Sequence, residues 1–143
     1  MREILFKAKQ IDNGEWIEGS LIDLDIDSGY CYIVQPYKKA SILPIIFLIT
    51  DRMKLVDPET LCQFTGLCDK NGNKIWENDI LMAHLDESYP EDATYETVEW
   101  GVAGWVTHEA NSIDRQYLDE FDTEHFEVVG NIFDDKELLQ EES

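Results

Sequence analysis

What most constrains the fold of this chain is the placement of tight-turn signals between short alternating apolar runs. In EILFKAK, Ile4 and Phe6 fall on one face of a strand and Leu5 and Lys7 on the other, because successive strand side chains point to opposite sides. Asp12-Asn13-Gly14 follows, and then EWIEGSLI. An Asn-Gly pair between two such runs signals a hairpin with a two-residue turn. LIDLDID sets Ile22, Leu24 and Ile26 against Asp23, Asp25 and Asp27; Ser28-Gly29 turns the chain, and YCYIVQPY returns beside it. Further along, ILMAHL reads as a strand, TYETVEW and GWVTH flank Gly101 to Gly104 as a second clear hairpin, and HFEVVGNI is a last strand. The expectation is a mainly β protein of short antiparallel strands joined by tight hairpins, with one or two short helices. Pro58-Glu59-Thr60 opens a helical turn. SIDRQYLDEF spaces Ile113, Tyr117 and Phe121 four apart, which predicts a short helix capped by Ser112. Asp134 caps a terminal turn in DDKELLQ.

At 143 residues the chain suits one domain or two small lobes. It divides most naturally into an N-terminal β-rich lobe over 1–60 and a second lobe with acidic loops over 61–143, or forms one continuous unit. Hydrophobic content of 43% argues for a packed core. The apolar run from Ile42 to Ile49 reads as a buried strand or core segment. It is far short of the roughly 20 residues that span a bilayer, and the charged start MREILFKAKQ does not resemble a signal peptide. These features predict a cytoplasmic protein without membrane contact. Cys31, Cys62 and Cys68 show no CxxC spacing and have no adjacent histidine, so reduced, mostly buried thiols are expected rather than zinc.

Charge is uneven. The whole chain carries −20, and residues 85–143 hold 18 acids against two bases, Arg115 and Lys136. Direct binding to nucleic acid is disfavoured, because phosphate contacts need Lys and Arg. Cationic protein surfaces remain suitable partners.

Two stretches imitate calcium loops. In DKNGNKIWENDIL, Asp69, Asn71 and Asn73 fit the first ligand positions, but Lys74 stands where glycine belongs and Ile80 where the closing glutamate belongs. A tight turn at Asn71-Gly72, with Asp69 accepting backbone hydrogen bonds, explains the segment more simply. Asp23, Asp25 and Asp27 have calcium spacing too, yet Gly29 comes one residue late and Val34 replaces the glutamate. No metal, cofactor or catalytic residue is assigned. His84, His108 and His125 are far apart in sequence and read as partly buried strand residues; neither a GxSxG elbow nor an HExxH pair occurs. Trp16, Trp76, Trp100 and Trp105 read as core or interface residues.

Three motifs, in order, carry a family resemblance. REILFKAKQIDNGEWIEGSLI, PETLCQFTGLCDKNGNKIWENDIL and EVVGNIFDDKELL together resemble the YopX family of phage and prophage proteins, and VEWGVAGWV between them fits its paired strands. The resemblance implies a compact β-rich fold with an SH3-like barrel in the part holding DKNG. It also implies self-association, with a trimer as the assembly to test, and no catalytic residues. Within the motifs, Gln63, Thr65, Gly66, Asp69, Asn71, Gly72, Asn78, Asp79, Gly130 and Asn131 read as fold determinants. Asn78 stands where the family usually has glycine, which predicts a positive φ there.

The expectation that follows is a non-enzymatic accessory protein of the bacterial cytoplasm that binds itself and an unknown host or phage protein. The alternative is an acidic nucleic-acid mimic that blocks a basic host DNA-binding protein.

Overall fold

The computed structural model describes residues 4–25, 30–35, 53–84, 93–110, 112–119 and 124–139. The chain is mainly β, and its strands form antiparallel sheets in two compact units, Met1–Gln63 and Phe64–Ser143. The division falls inside one strand.

The first unit contains β1 (Phe6–Lys9), β2 (Trp16–Asp25), β3 (Tyr30–Val34) and β4 (Met53–Val56), hydrogen-bonded in the order β4-β3-β2-β1. Alternation sorts the side chains: Ala8, Ile17, Cys31, Ile33 and Val56 form its buried core. Burying each branched aliphatic side chain is worth about 1.5–3 kcal/mol. The β1–β2 hairpin is present, with Lys9 opposite Trp16, but its turn is not the expected two-residue one. Gln10 N–H bonds Glu15 O at 2.9 Å, so the loop between them spans Ile11 to Gly14. The longer loop lets Ile11 N–H reach Leu55 O at 3.1 Å, while Asp57 N–H bonds Lys9 O at 2.8 Å. The end of β1 therefore meets the end of β4, and the sheet curls round its core.

EWIEGSLI and the described part of LIDLDID lie in one strand, β2, paired with β3 as expected. The β2–β3 register shifts between Asp23 and Asp25. The proposed turn at Ser28-Gly29 and the apolar run Ile42 to Ile49 lie outside the described residues. Pro58–Thr60 makes the expected helical turn, a single turn of 3-10 helix, with Asp57 Oδ1 accepting Glu59 N–H at 3.0 Å.

β5 (Cys62–Cys68) begins in the first unit, where Gln63 is opposite Phe6, and ends in the second. The second unit continues with β6 (Lys74–Trp76), β7 (Asp79–His84), β8 (Ala93–Trp100), β9 (Trp105–Glu109), β10 (Gln116–Tyr117) and β11 (Phe126–Asn131). Its five-stranded sheet has the order β10-β9-β8-β7-β11, with β10 and β11 as its two edges among the described residues, so the sheet does not close into a hydrogen-bonded barrel there. Ile75, Leu81, Val98, Trp105, Leu118 and Phe126 fill the core.

SIDRQYLDEF is not a helix over its described part. Gln116 and Tyr117 pair with Thr107 and Val106, and Leu118 N–H bonds Trp105 O at 2.9 Å. Pairing with β9 satisfies backbone groups that an isolated helical turn would leave to water, and it buries Leu118 rather than Ile113 or Tyr117. Ser112 Oγ accepts Asp114 N–H in a local turn instead of capping a helix; Phe121 lies outside the described residues. At the other end, Lys136–Leu139 forms a turn of 3-10 helix after Asp135, whose carbonyl accepts Leu138 N–H at 2.9 Å. Asp134, the expected cap, accepts Asn131 Nδ2 at 3.2 Å through its carboxylate. Among the described residues, no helix is long and apolar enough to cross a membrane.

Candidate functional site

Four of the motif residues, Asp69, Asp79, Gly130 and Asn131, meet at β11. Asp69 follows β5 and is buried, at 6% exposure. Its Oδ1 accepts the N–H groups of Asn71 and Asn73, both at 2.9 Å, and its Oδ2 accepts Val128 N–H at 2.9 Å and Asn73 Nδ2 at 3.4 Å. Lys70 N–H adds a bond to Phe126 O at 3.1 Å, so the loop 69–73 covers the outer edge of β11. The turn expected at Asn71-Gly72 does join antiparallel strands, through a five-residue loop between Cys68 and Lys74. Only Gly72 takes a positive φ there, +83°. Burial alone would push the Asp69 carboxyl up. The N–H groups of Val128, Asn73 and Asn71, with the Asn73 amide, outweigh it and hold the carboxyl below its ordinary value.

Asn78 has φ +70°, the only positive value at a non-glycine residue among those described. Its N–H bonds Val98 O at 2.8 Å and its carbonyl accepts Ile132 N–H at 3.0 Å. Next to it, the buried Asp79 accepts Trp76 N–H at 2.8 Å and pairs in register with Asn131. Asn131 Oδ1 accepts the N–H groups of Phe133 and Asp134, both at 2.9 Å. Gly130 is required by space: a Cβ there would lie 2.6 Å from Asp135 Cγ. Thr65 bridges the irregular β5–β6 pairing through its hydroxyl, 2.7 Å from Ile75 O, and Gly66 beside it has φ +90°. Gln63 is half-buried opposite Phe6, in the first unit. Nine of the ten motif residues thus lie in the second unit. The carboxylates of Asp69 and Asp79 and the amide oxygen of Asn131 accept backbone N–H groups of this chain.

A second polar cluster lies on the β8–β9 hairpin. Thr97 Oγ1 is 2.9 Å from His108 Nε2, and Glu99 Oε2 is 3.4 Å from the same nitrogen. His108 Nδ1 faces Glu109 O at 3.0 Å, and since a carbonyl only accepts, Nδ1 carries the proton in the neutral ring. Nε2 then accepts from Thr97. Arg115 binds Glu99 through Nε. Chemically this is a hydroxyl beside a base. Structurally it follows from Thr97 and His108 being directly opposite in the ladder. His108 is half-buried in a strand, as expected; His125 is exposed in a turn before β11, not in a strand.

A cavity of about 320 Å³, lined by Ala93, Thr94, Tyr95, Glu109, Ala110 and the leucines Leu138 and Leu139, opens between β8, β9 and the C-terminal turn. Among the described residues, no group of three or more His, Cys, Asp or Glu side chains is placed to hold a metal ion. None of the three cysteines forms a disulfide; Cys31 and Cys62 are buried and Cys68 is exposed. Burial, then the charges of Asp23 and Asp57, push the Cys31 thiol up, which keeps it protonated and unreactive.

The tryptophans divide. Trp76 and Trp105 are core residues. Trp16 is half-buried beneath the ammonium groups of Lys7 and Lys9, at 4.8 and 5.5 Å from its ring. Trp100 is exposed, together with Val102, Ile113 and Tyr117. The helical spacing of Ile113 and Tyr117 concealed that exposure; the alternation within Gln116-Tyr117-Leu118 was the signal that could have exposed it.

Fold and motif geometry define a two-unit β protein whose most distinctive residues hold strand ends together. The family model described as YopX protein matches residues 5–140, so the chain belongs to the YopX family. No curated protein matches the sequence. Among solved structures, the crystal structure of protein EF1440 from Enterococcus faecalis is similar at a TM-score of 0.60 and 20% identity, covering 98% of this chain and 100% of that one. At that identity the likeness concerns the fold.

Proposed function

We propose that this chain is a phage or prophage accessory protein of the bacterial cytoplasm, without catalytic activity, that works by binding other proteins and by self-association. The observation that carries this reading is the use made of its motif residues. Asp69, Asp79, Thr65 and Asn131 hold backbone groups of the same chain, which is the task of fold determinants. Exposed aromatic and aliphatic groups at the end of the β8–β9 hairpin suit a binding role. The test has two arms. The purified protein is assayed for turnover with divalent metals, nucleotides and ester substrates, and its mass is measured by sedimentation across a concentration series. No turnover with reversible self-association is expected. Turnover that disappears in Thr97→Val or His108→Ala would sink the reading.

The charge imbalance of residues 85–143 favours a second reading, in which the acids imitate a phosphate backbone and occupy a basic groove. Competition between this protein and duplex DNA for a basic DNA-binding protein tests it. The mimic requires displacement that weakens steeply with salt.

A further inference from the structure

Of the six large apolar side chains exposed among the described residues, four fall between positions 100 and 117: Trp100, Val102, Ile113 and Tyr117. The fold gathers them at one end of one hairpin. β8 and β9 end on the pair Trp100 and Trp105, and Gly101 N–H closes the turn onto Gly104 O at 2.7 Å. Val102 stands on that turn with its side chain wholly in solvent. Trp100 packs edge-to-face on the buried Trp105, with ring centroids 4.9 Å apart, so an exposed indole is held in place by a core one. Tyr117 pairs with Val106, the next residue along, and so lies on the opposite face; its ring is 3.7 Å from where a Cβ on Gly104 would stand. Ile113 is held nearby through Arg115, whose guanidinium Nη1 donates to Ser112 O at 3.2 Å and whose Nε bonds Glu99, the neighbour of Trp100. The result is a protrusion with apolar groups on both faces and at its tip.

Rigid aromatic groups that project into water are the kind that anchor interfaces, because little conformational freedom is lost when they are covered. The surrounding charge says what covers them. Glu99, Asp114 and Asp119 border the protrusion, and Arg115, the one base beside it among the described residues, is engaged by Glu99. The stretch belongs to the region with 18 acids and two bases. A second copy would bring the same sign of charge to the contact, which is unfavourable, whereas a cationic rim is attracted. We propose that the end of the β8–β9 hairpin, with Tyr117, is a docking knob for a protein surface that combines an apolar cleft with a rim of Lys and Arg. This rests on the reading of the chain as a binding protein and names the surface and the chemistry of its partner.

The probe is a synthetic peptide of alternating lysine and phenylalanine, compared with one of alternating lysine and serine at equal charge. Binding to the full-length protein is followed by tryptophan fluorescence and calorimetry. The phenylalanine peptide should bind about tenfold or more tighter, and Val102→Ser combined with Tyr117→Ser should abolish that advantage while leaving the weaker serine-type binding. Circular dichroism checks that the double variant folds; if it does not, Val102→Ser alone carries the test, since that side chain touches solvent only. Equal binding of the two peptides, binding of neither, or undiminished binding by the folded variant each overturns the proposal. Sedimentation separates the remaining occupant: an oligomer dispersed by Val102→Ser would make the knob a self-association surface and overturn the basic partner. Turnover in the activity screen would instead defeat the non-catalytic reading, whatever the peptides do.

Discussion

The Asp69 carboxylate accepts the backbone N–H of Val128 at 2.9 Å, joining positions 59 apart in the sequence. β11 is an edge strand, with a register shift between Val128 and Gly130, and an edge N–H facing away from its partner strand needs an acceptor. Asp69 supplies one while its other oxygen closes its own loop. One side chain thus fixes a tight turn and a sheet edge together.

Replacing Asp69 with alanine should be among the most damaging single changes in the second unit. It removes a charged acceptor from three backbone donors, of which the Val128 N–H has no local substitute. A loss of about 3 kcal/mol is expected, read as a lowered urea midpoint with an unchanged slope. Asp69→Asn should lose somewhat less, because one amide oxygen remains to accept. A midpoint within error of wild type for Asp69→Ala would contradict the role assigned to it.

The same carboxylate predicts a pH dependence. Its folded pKa lies below the ordinary value, so the unfolded chain takes up the proton first as pH falls. Its stabilisation is complete above the unfolded carboxylate range, near pH 4, and is lost as pH drops through the lower folded value. The stability gap between wild type and Asp69→Asn should therefore be constant from about pH 7 to 5 and shrink below about pH 4. A gap that widens on acidification would have the wrong sign.

Asn78 tests backbone conformation separately from chemistry. At φ +70°, alanine should cost about 1 kcal/mol, since a Cβ without a polar group disfavours the left-handed region. Glycine should change stability by less than about 0.5 kcal/mol, relief of strain being offset by a freer unfolded chain. Thermal melts of the two variants decide it, and equal losses would argue that the side chain matters more than φ.

Gly130→Ala should fail for steric reasons. Its Cβ would press on Asp135, whose Oδ2 accepts Asn131 N–H at 3.1 Å. Paired with Asp135→Gly, which removes every clashing atom including the Asp135 Cβ, the same substitution should cost much less than the sum of the two singles, a coupling of about 1 kcal/mol or more in a double-mutant cycle. Additive losses would place the effect of Gly130 elsewhere.

Added sodium chloride should raise the melting temperature. With 18 acids and two bases in residues 85–143, repulsion among carboxylates outweighs local pairing, and salt screens it over about 8 Å at 0.15 M. A falling melting temperature would mean that native ion pairs dominate instead.

Local chemistry was legible from the chain alone. Turn formers between alternating runs located the β1–β2 and β8–β9 hairpins, alternation located the β2–β3 pair, Pro58 located a helical turn, and Asn78 in place of a glycine located a left-handed residue. Each depends on steric and hydrogen-bonding preferences acting over a few residues, which composition and order determine directly. Tertiary structure decided what depends on distant partners. Ile113 and Tyr117 have helical spacing, yet β9 offers residues 116–118 a ladder, and a short helix standing alone cannot compete with it. Trp100 and Trp105 read alike in sequence; their register puts one over the core and leaves the other on top of it in solvent. Asp69 announced a turn, but not that Val128 would come to it, because only the assembled sheet brings the β11 edge within reach of that loop.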